Sequence, residues 1–179
     1  DITSVVGGII NGEVPQESDW LPTYCNSAAV IFKNAGCGTV DGLRVTGAWD
    51  AVRATDRSPY LTVQNSWISN VRDHTVENDY FFPLLFEDNL VDGAFNGISV
   101  HSNGEITQDT GATIHIQGSV IRIREYLYKG EQYFGALFKN EEFSPSIAIH
   151  NTIVAVDYQG GQTFPVYWER GWDKIESCS

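Results

Sequence analysis

Positively charged side chains are scarce in this sequence. It has 11 Lys and Arg residues against 23 Asp and Glu, which gives a formal net charge of -12 at pH 7. Nucleic-acid binding needs clustered Lys and Arg to neutralise phosphates. The composition therefore argues against a nucleic-acid partner. It also disfavours a polyanionic substrate, unless calcium bridges the two acidic surfaces.

Long apolar runs and several familiar catalytic motifs are also missing. No apolar stretch is long enough to span a bilayer, and no signal peptide is recognisable. The sequence contains no G-x-S-x-G elbow, no Cys-x-x-Cys and no Gly-rich phosphate loop. His115 and His150 lack the cysteine or carboxylate spacing of a zinc site. We therefore expect no membrane span, no cofactor and no motif-encoded metal site.

Cysteine is limited to three residues, Cys25, Cys37 and Cys178. Cys25 and Cys37 flank a predicted strand and could form a disulfide in an oxidising compartment. Cys178 would then be free or paired with chain outside this sequence.

An eight-residue repeat is the main feature that the sequence does contain. Its template is Val63–Asn70 (VQNSWISN), which reads apolar, any, Asn/Gly/Asp, any, any, apolar, any, Asn/Gly. Full or nearly full matches begin at Val5, Val40, Phe86, Ile116 and Ile149. The third position is always Gly, Asn or Asp, the residue types that tolerate a left-handed backbone at a bend. Repeats of this kind predict stacked short strands with a shared core.

A second predicted strand follows each copy of the repeat. The members that we expect to stack cover residues 49–55, 73–79, 95–101 and 134–140, with end members at 29–34 and 164–169. Near-alternating apolar residues with Gly and Asn between them favour strands over helices.

This strand–bend–strand pattern, which runs from Val5 to Glu169, resembles the right-handed parallel β-helix, or pectin-lyase-like, superfamily. The resemblance implies an all-β fold, a right-handed parallel β-helix solenoid of about six coils. We expect residues 1–179 to form a single β-helix domain. The chain starts at Asp1 with strand residues and no amphipathic cap, so we expect it to be a portion of a longer chain. The fold and the low Lys content suggest an extracellular or periplasmic location.

The resemblance leaves the function open between two classes. Many members of the superfamily cleave polysaccharides, as hydrolases or lyases, and we take this as the leading hypothesis. The alternative is a non-catalytic solenoid that binds glycan or assembles with further β-helix coils or copies of itself. The galacturonan hydrolases of the superfamily carry clustered aspartates that are not found here, so no catalytic residue can be transferred from them.

Candidate catalytic residues follow from the expected faces of the second strand. If Val52, Val76 and Ile98 point inward, then neighbouring residues point outward on successive strands about 4.8 Å apart. This reasoning places ionisable side chains together at Arg53, Asp73, Glu77, Asp79 and His101. Arg53 beside Glu77 should lower the pKa of Glu77 and favour a base role, with Asp79 or Asp73 as the acid.

Aromatic and basic residues near this face are the candidate substrate-binding groups. They are Trp49, Arg72, Tyr80, Tyr126 and Tyr128. Trp67 is a further residue that could stack on a sugar ring. A calcium ion held by Asp73, Glu77 and Asp79 is an alternative use of the carboxylates. The competing structural interpretation is that opposite charges on neighbouring strands simply pair, and that His74 is a core histidine.

Overall fold

Short β-strands dominate the regular structure of this chain. The structure is a computed structural model that describes residues 2–15, 28–102, 106–158 and 166–179. In chain order the elements are β1 (Ile2–Val6), β2 (Ile9–Asn11), β3 (Ala28–Lys33), β4 (Cys37–Asp41), β5 (Arg44–Thr46), β6 (Asp50–Thr55), β7 (Leu61–Gln64), β8 (Trp67–Glu77), β9 (Leu84–Glu87), β10 (Leu90–Val100), β11 (Thr113–Gln117), β12 (Val120–Arg124), β13 (Tyr126–Tyr128), β14 (Glu131–Tyr133), β15 (Phe138–Asn140), β16 (Ser146–His150), β17 (Ile153–Asp157), α1 (Val166–Asp173) and β18 (Ile175–Cys178).

Two parallel sheets contain nearly all of these strands. The first has the order β1-β4-β7-β9-β11-β16-β18. The second has the order β17-β12-β10-β8-β5-β2, with β15 beside β10 and with β6 between β8 and β3. The chain passes repeatedly from one sheet to the other, sometimes after two successive strands in the second sheet, and each return to a sheet adds a parallel neighbour. The chain is all-β with parallel sheets, as the sequence predicted.

The predicted repeat sets the register of both sheets. The apolar residues at its first position pair in a continuous row across the first sheet, Val5–Val40–Val63–Phe86–Ile116–Ile149. Those at its sixth position do the same in the second sheet, Ile10–Val45–Ile68–Val91–Ile121–Val154. Most members of both rows are buried in the core. One copy cannot cover its own apolar face, so adjacent copies cover each other.

The bend between the two sheets has the predicted backbone conformation in every copy. The third position of the repeat has a positive φ at Gly7, Gly42, Asn65, Asp88, Gly118 and Asn151. Gly and Asn are preferred there because other side chains clash with the backbone in this region.

The residue after this bend contributes to a buried polar ladder that the sequence analysis missed. The Ser66 hydroxyl accepts a hydrogen bond from the backbone N–H of Leu43 at 3.2 Å. Asn89 Oδ1 accepts from Ser66 N at 2.9 Å, and Ser119 Oγ accepts from Asn89 N at 3.1 Å. Asn89 Nδ2 also donates to the Val63 carbonyl at 2.8 Å. Buried backbone groups at the bend are thus satisfied by side chains from the adjacent copy.

The predicted second strands also stack, and they carry the side chains considered below. Val30, Val52, Val76, Ile98 and Phe138 form one buried row. The neighbouring row includes Arg53 and Glu77, which are direct partners across β6 and β8.

The predicted end strand at residues 164–169 is wrong, because residues 166–173 form helix α1. Trp168 on this helix is buried, and Gly171 lies close to the ring of Phe138. A helix satisfies its own backbone hydrogen bonds, so it can cover the end of the row without presenting another open strand edge. After this helix, Ile175–Cys178 forms β18, which pairs with β16.

Two further expectations concern cysteines and membranes. Cys37 and Cys178 are free thiols. Because the Cys37 thiol is free, the predicted Cys25–Cys37 disulfide is wrong; Cys25 itself lies outside the described residues. In the described part of the chain, no helix is long and apolar enough to cross a membrane.

We predict that Asn89→Ala lowers the free energy of unfolding by about 2–5 kcal/mol, because it leaves the Ser66 N–H and the Val63 carbonyl buried without partners. Urea unfolding followed by circular dichroism measures the change. Asn65→Gly is the matched control, since Asn65 is exposed with φ near 54° and glycine adopts that conformation freely. The control should change stability by less than about 1 kcal/mol. Equal losses in the two variants would contradict the proposed role of the ladder.

Candidate functional site

A cluster of ionisable side chains lies where β6 runs beside the second half of β8. Arg53 on β6 is the direct neighbour of Glu77 on β8, as predicted, and Arg53 Nη2 lies 2.9 Å from Glu77 Oε2. Both side chains are 12% exposed, which leaves each with a small contact to solvent. Their pairing is the part of the predicted site that the structure brings together.

Asp50 is the centre of the cluster, and the sequence analysis did not include it. Its Oδ2 accepts a hydrogen bond from Arg53 Nη2 at 2.5 Å. Its Oδ1 accepts from the backbone N of His74 at 3.0 Å and lies 3.0 Å from His74 Nδ1. Asp50 is fully buried, so these partners replace the water that an exposed carboxylate would bind.

His74 lies between two buried carboxylates. Its Nδ1 faces Asp50, and its Nε2 lies 3.2 Å from Asp73 Oδ1. The same Asp73 oxygen accepts a hydrogen bond from Asn96 Nδ2 at 3.1 Å. Asn96 in turn accepts from the backbone N of Ala136 through its Oδ1 at 2.9 Å. His74 is thus a core histidine with two acidic partners, as the structural interpretation expected.

The cluster is deeply buried at the Asp73 end because a β-hairpin covers it. Strands β13 and β14 pair antiparallel, and their turn has positive φ at Lys129 and Gly130. The ring of Tyr126 on this hairpin lies 3.6 Å from the Arg72 guanidinium carbon, and the ring of Trp49 lies 5.1 Å from it. Cation–π contacts therefore hold Arg72 between two aromatic rings. Arg72 itself is fully buried.

The pKa values of Asp50 and His74 move in opposite directions. Burial alone would raise the pKa of Asp50, but the hydrogen bond and positive charge of His74, together with Arg53, lower it to about 2. Burial alone would lower the pKa of His74, but the charge of Asp73 and the hydrogen bond and charge of Asp50 raise it to about 9. At neutral pH the pair is therefore an ionised aspartate and a protonated histidine.

Glu77 differs from Asp50 in holding its proton. Burial and the negative charge of Asp50 raise the pKa of Glu77 to about 8, despite the opposing charge of His74. The cations that act on this cluster include Arg53, His74 and Lys139. Burial outweighs them at Asp73 and Glu77, whose pKa values are both raised. The Arg53–Glu77 pair favours the charged carboxylate, but burial and Asp50 outweigh it, so the predicted net lowering of the Glu77 pKa, and with it the base role, is wrong. Glu77 is suited to donate a proton.

Asp79 and His101 are neighbours, as predicted, although by a different contact. Strand β8 ends at Glu77, so Asp79 lies beyond it, where its Oδ1 accepts from Ser99 Oγ at 2.6 Å and from His101 N at 3.2 Å. The negative charge of Asp79 also contributes to the raised pKa of Glu77. Asp73 is buried, and burial raises its pKa. A substrate cannot reach Asp73, so its proposed role as a direct acid is wrong.

Three of the five predicted substrate-binding residues are not on the surface. Trp49 is 0% exposed, and Tyr126 and Arg72 are also buried. These three residues pack on each other, so they cannot contact a polysaccharide. Tyr80 and Tyr128 are partly exposed, and they are the members of this set that solvent reaches. Tyr80 OH donates to Asp56 Oδ1 at 3.4 Å, and Tyr128 lies 4.8 Å from the Lys129 ammonium.

The sequence does contain a pattern that places Asp50 in the buried cluster. Asp50 has the same strand parity as the inward-facing Val52, and His74 has the same parity as Val76. An acidic residue and a histidine at inward positions of adjacent strands indicate a buried ion pair. The outward row alone does not contain Asp50, the residue that connects Arg53 to His74.

Three side chains of the cluster have the spacing of a metal site. One ligand atom each from Asp50, Asp73 and His74 lies within 4.8 Å of the others. This is not the predicted calcium set of Asp73, Glu77 and Asp79, and its imidazole nitrogen suits zinc better than calcium. Metal binding would require His74 to lose the proton that its two carboxylate neighbours stabilise.

Comparisons with protein-family models, with curated proteins and with solved structures find no match to this chain. Its function therefore has to be inferred from its own residues.

The raised pKa of His74 predicts a specific pH dependence of stability. The protonated His74 favours the folded state fully below the unfolded pKa of about 6.5, and this contribution is lost as pH rises through about 9. We expect the free energy of unfolding to fall by roughly 3 kcal/mol over this range from His74 alone. Urea unfolding at pH 6, 7.5 and 9 tests this. Glu77, whose pKa is raised from 4.5 to about 8, adds a decline that begins at lower pH.

His74→Gln should remove the histidine contribution and destabilise the protein at pH 6 by about 3–5 kcal/mol, because two buried carboxylates lose their cation. His115→Gln is the matched control, since His115 is an exposed residue of β11. A wild-type profile that rises from pH 6 to pH 9 would contradict the assignment.

Proposed function

We propose that the two parallel sheets are faces of a right-handed parallel β-helix related to the pectin-lyase-like superfamily, with about six coils in a single domain. The unbroken rows at the first and sixth positions of the repeat support this architecture, since each copy pairs with the next in both sheets. The repeated bend with positive φ supports it as well.

We further propose that the domain acts outside the cytoplasm, in an extracellular or periplasmic setting, and hydrolyses a polysaccharide at Glu77. The proposal rests on a difference in solvent exposure and protonation among the residues of the cluster. Asp50, Asp73 and His74 are buried, whereas the Glu77 side chain reaches solvent and holds its proton at neutral pH. A partly exposed carboxylic acid that stays protonated near pH 7 is the group that protonates the leaving oxygen in glycoside hydrolysis.

The residues divide the work as follows. Glu77 donates its proton to the glycosidic oxygen as the bond from that oxygen to the anomeric carbon breaks. Asp79 accepts a proton from the water whose oxygen forms the new bond to the anomeric carbon. Arg53 is a positioning residue, because its contacts to Asp50 and Glu77 hold the Glu77 carboxyl in place. The backbone N–H of His101 and the hydroxyl of Ser99 orient Asp79.

Hydrolysis fits these groups better than elimination. A lyase needs an unprotonated base beside the substrate and a cation to stabilise the developing charge. Glu77 is protonated at neutral pH, and the Arg53 guanidinium is already paired with Asp50 and Glu77. A calcium ion would be needed only for an acidic substrate.

A non-catalytic solenoid is the second candidate, and the burial of the cluster favours it. Asp50, His74 and Asp73 are mutual partners that could simply set the register of β6 and β8. Buried polar networks can specify one packing arrangement over others. In that case the domain would bind glycan, or assemble with further coils or copies of itself, without turnover.

We predict that Glu77→Gln lowers cleavage by about 10²–10⁴-fold while the fold is kept, because glutamine matches the shape of the protonated acid but cannot donate its proton. Neutral and acidic polysaccharides, with and without calcium, are the substrates, and mass spectrometry of the products is the measurement. Glu131→Gln, a change at an exposed glutamate of β14, should cleave at the wild-type rate.

Wild-type activity should also fall as pH rises above about 8, where Glu77 loses its proton. Absence of any product with the wild-type protein would favour the non-catalytic candidate. Unsaturated products would show elimination and contradict Glu77 as the acid.

A further inference from the structure

An exposed apolar row runs across the outer face of the second sheet. The direct strand neighbours Ile9, Arg44, Trp67, Leu90, Val120 and Ile153 form it. All of them are exposed, with Trp67 at 44% and Ile153 at 64%. Six side chains at strand spacing extend over about 24 Å. Five apolar side chains and one arginine in a surface row of this length, on an acidic protein, indicate a binding surface.

The row begins in a shallow groove of about 270 Å³. Its lining comprises Ile9, Asn11, Arg44, Val45, Thr46, Trp67 and Ser69. The Arg44 guanidinium carbon lies 5.3 Å from the Trp67 ring, so the indole is held by a cation–π contact. The groove is formed by β2, β5 and β8, so the repeat itself positions the side chains.

A row of neutral polar side chains lies beside the apolar row. Asn11, Thr46 and Ser69 are direct strand neighbours on the same face as Arg44 and Trp67, two residues further along each strand. They offer one amide and two hydroxyl groups at intervals of about 4.8 Å. None of the described residues that line the groove is a carboxylate, although the chain carries a net charge of -12.

We propose that this groove binds an extended polysaccharide chain, with one sugar ring stacked on Trp67 and its hydroxyls bonded to Asn11, Thr46 and Ser69. Sugar rings present an apolar face and a polar edge, which match the apolar row and the polar row beside it. Arg44 can donate to sugar hydroxyls or to the carboxylate of an acidic sugar. Leu90, Val120 and Ile153 extend the apolar contact beyond the groove.

The inference rests on the proposed action on polysaccharide, but it concerns a different face. The groove is formed around the first half of β8, whereas Glu77 lies at the end of that strand. The role of the groove is to hold the polymer, and Glu77 performs the cleavage. Loss of the groove should therefore weaken binding without changing the chemistry.

Native electrophoresis in gels that contain hydroxyethyl cellulose, galactomannan or polygalacturonate tests the proposal directly. We expect at least one of these polymers to retard the wild-type protein. Trp67→Ala should weaken that retardation by about tenfold, the change expected from one lost ring stack. Trp67→Phe should retain most of the binding. Trp172→Ala is the matched control, because Trp172 is 57% exposed on α1 and lies outside the groove.

The possible outcomes distinguish failure of the groove proposal from failure of the proposed cleavage at Glu77. Polymer binding that depends on Trp67, with no product formed by the wild-type protein, would support the groove and contradict cleavage. Cleavage with no effect of Trp67→Ala on binding would overturn the groove and leave Glu77 intact. Failure of all three polymers to retard the wild-type protein would overturn the groove. Light scattering that shows a wild-type dimer and a Trp67→Ala monomer would overturn it in favour of a second copy of the chain.

Discussion

The satisfaction of backbone hydrogen bonds at the bend is the constraint on which the rest of the structure depends. Each copy of the repeat turns from one sheet to the other through a residue with positive φ, and in the four central copies the next residue (Leu43, Ser66, Asn89 or Ser119) is buried. Its N–H can find a partner only in the adjacent copy, through Ser66, Asn89 or Ser119. Register is therefore set by polar groups as well as by apolar packing. A shift by one residue would leave these groups unsatisfied and turn the apolar rows outward.

The same register explains why the ionisable cluster exists. Because β6 and β8 pair in one alignment, Arg53 meets Glu77, and Asp50 reaches His74. Burial makes each isolated charge unfavourable, so the carboxylates and the two cations stabilise each other. One consequence is a division of protonation states between neighbouring carboxyls, with Asp50 ionised and Glu77 protonated. These protonation states can support proton donation by Glu77, and they can equally stabilise the packing of β6 against β8.

The two halves of strand β8 thus carry side chains of different chemistry. Its first half presents Trp67 and Ser69 to an open groove, whereas its second half presents mostly buried charge that is covered by the β13–β14 hairpin. An open groove and a mostly buried ionisable cluster can therefore be built from the same repeat. Acidic composition alone does not describe this arrangement, because the described residues that line the groove include a cation and no carboxylate.

The sequence by itself determined the sheets, the register and the bends, because these depend on local periodicity and on residues that tolerate positive φ. The spacing of the repeat along the chain predicts both apolar rows, which begin at Val5 and Ile10. The same spacing predicts the pairing of Arg53 with Glu77. Only the tertiary structure decided which side chains solvent reaches. The hairpin that buries Arg72 and Tyr126 comes from a distant segment, and pairing counts cannot show its position. Protonation also depends on three-dimensional burial and on every nearby charge, so the raised pKa of Glu77 could not be read from its neighbour Arg53 alone.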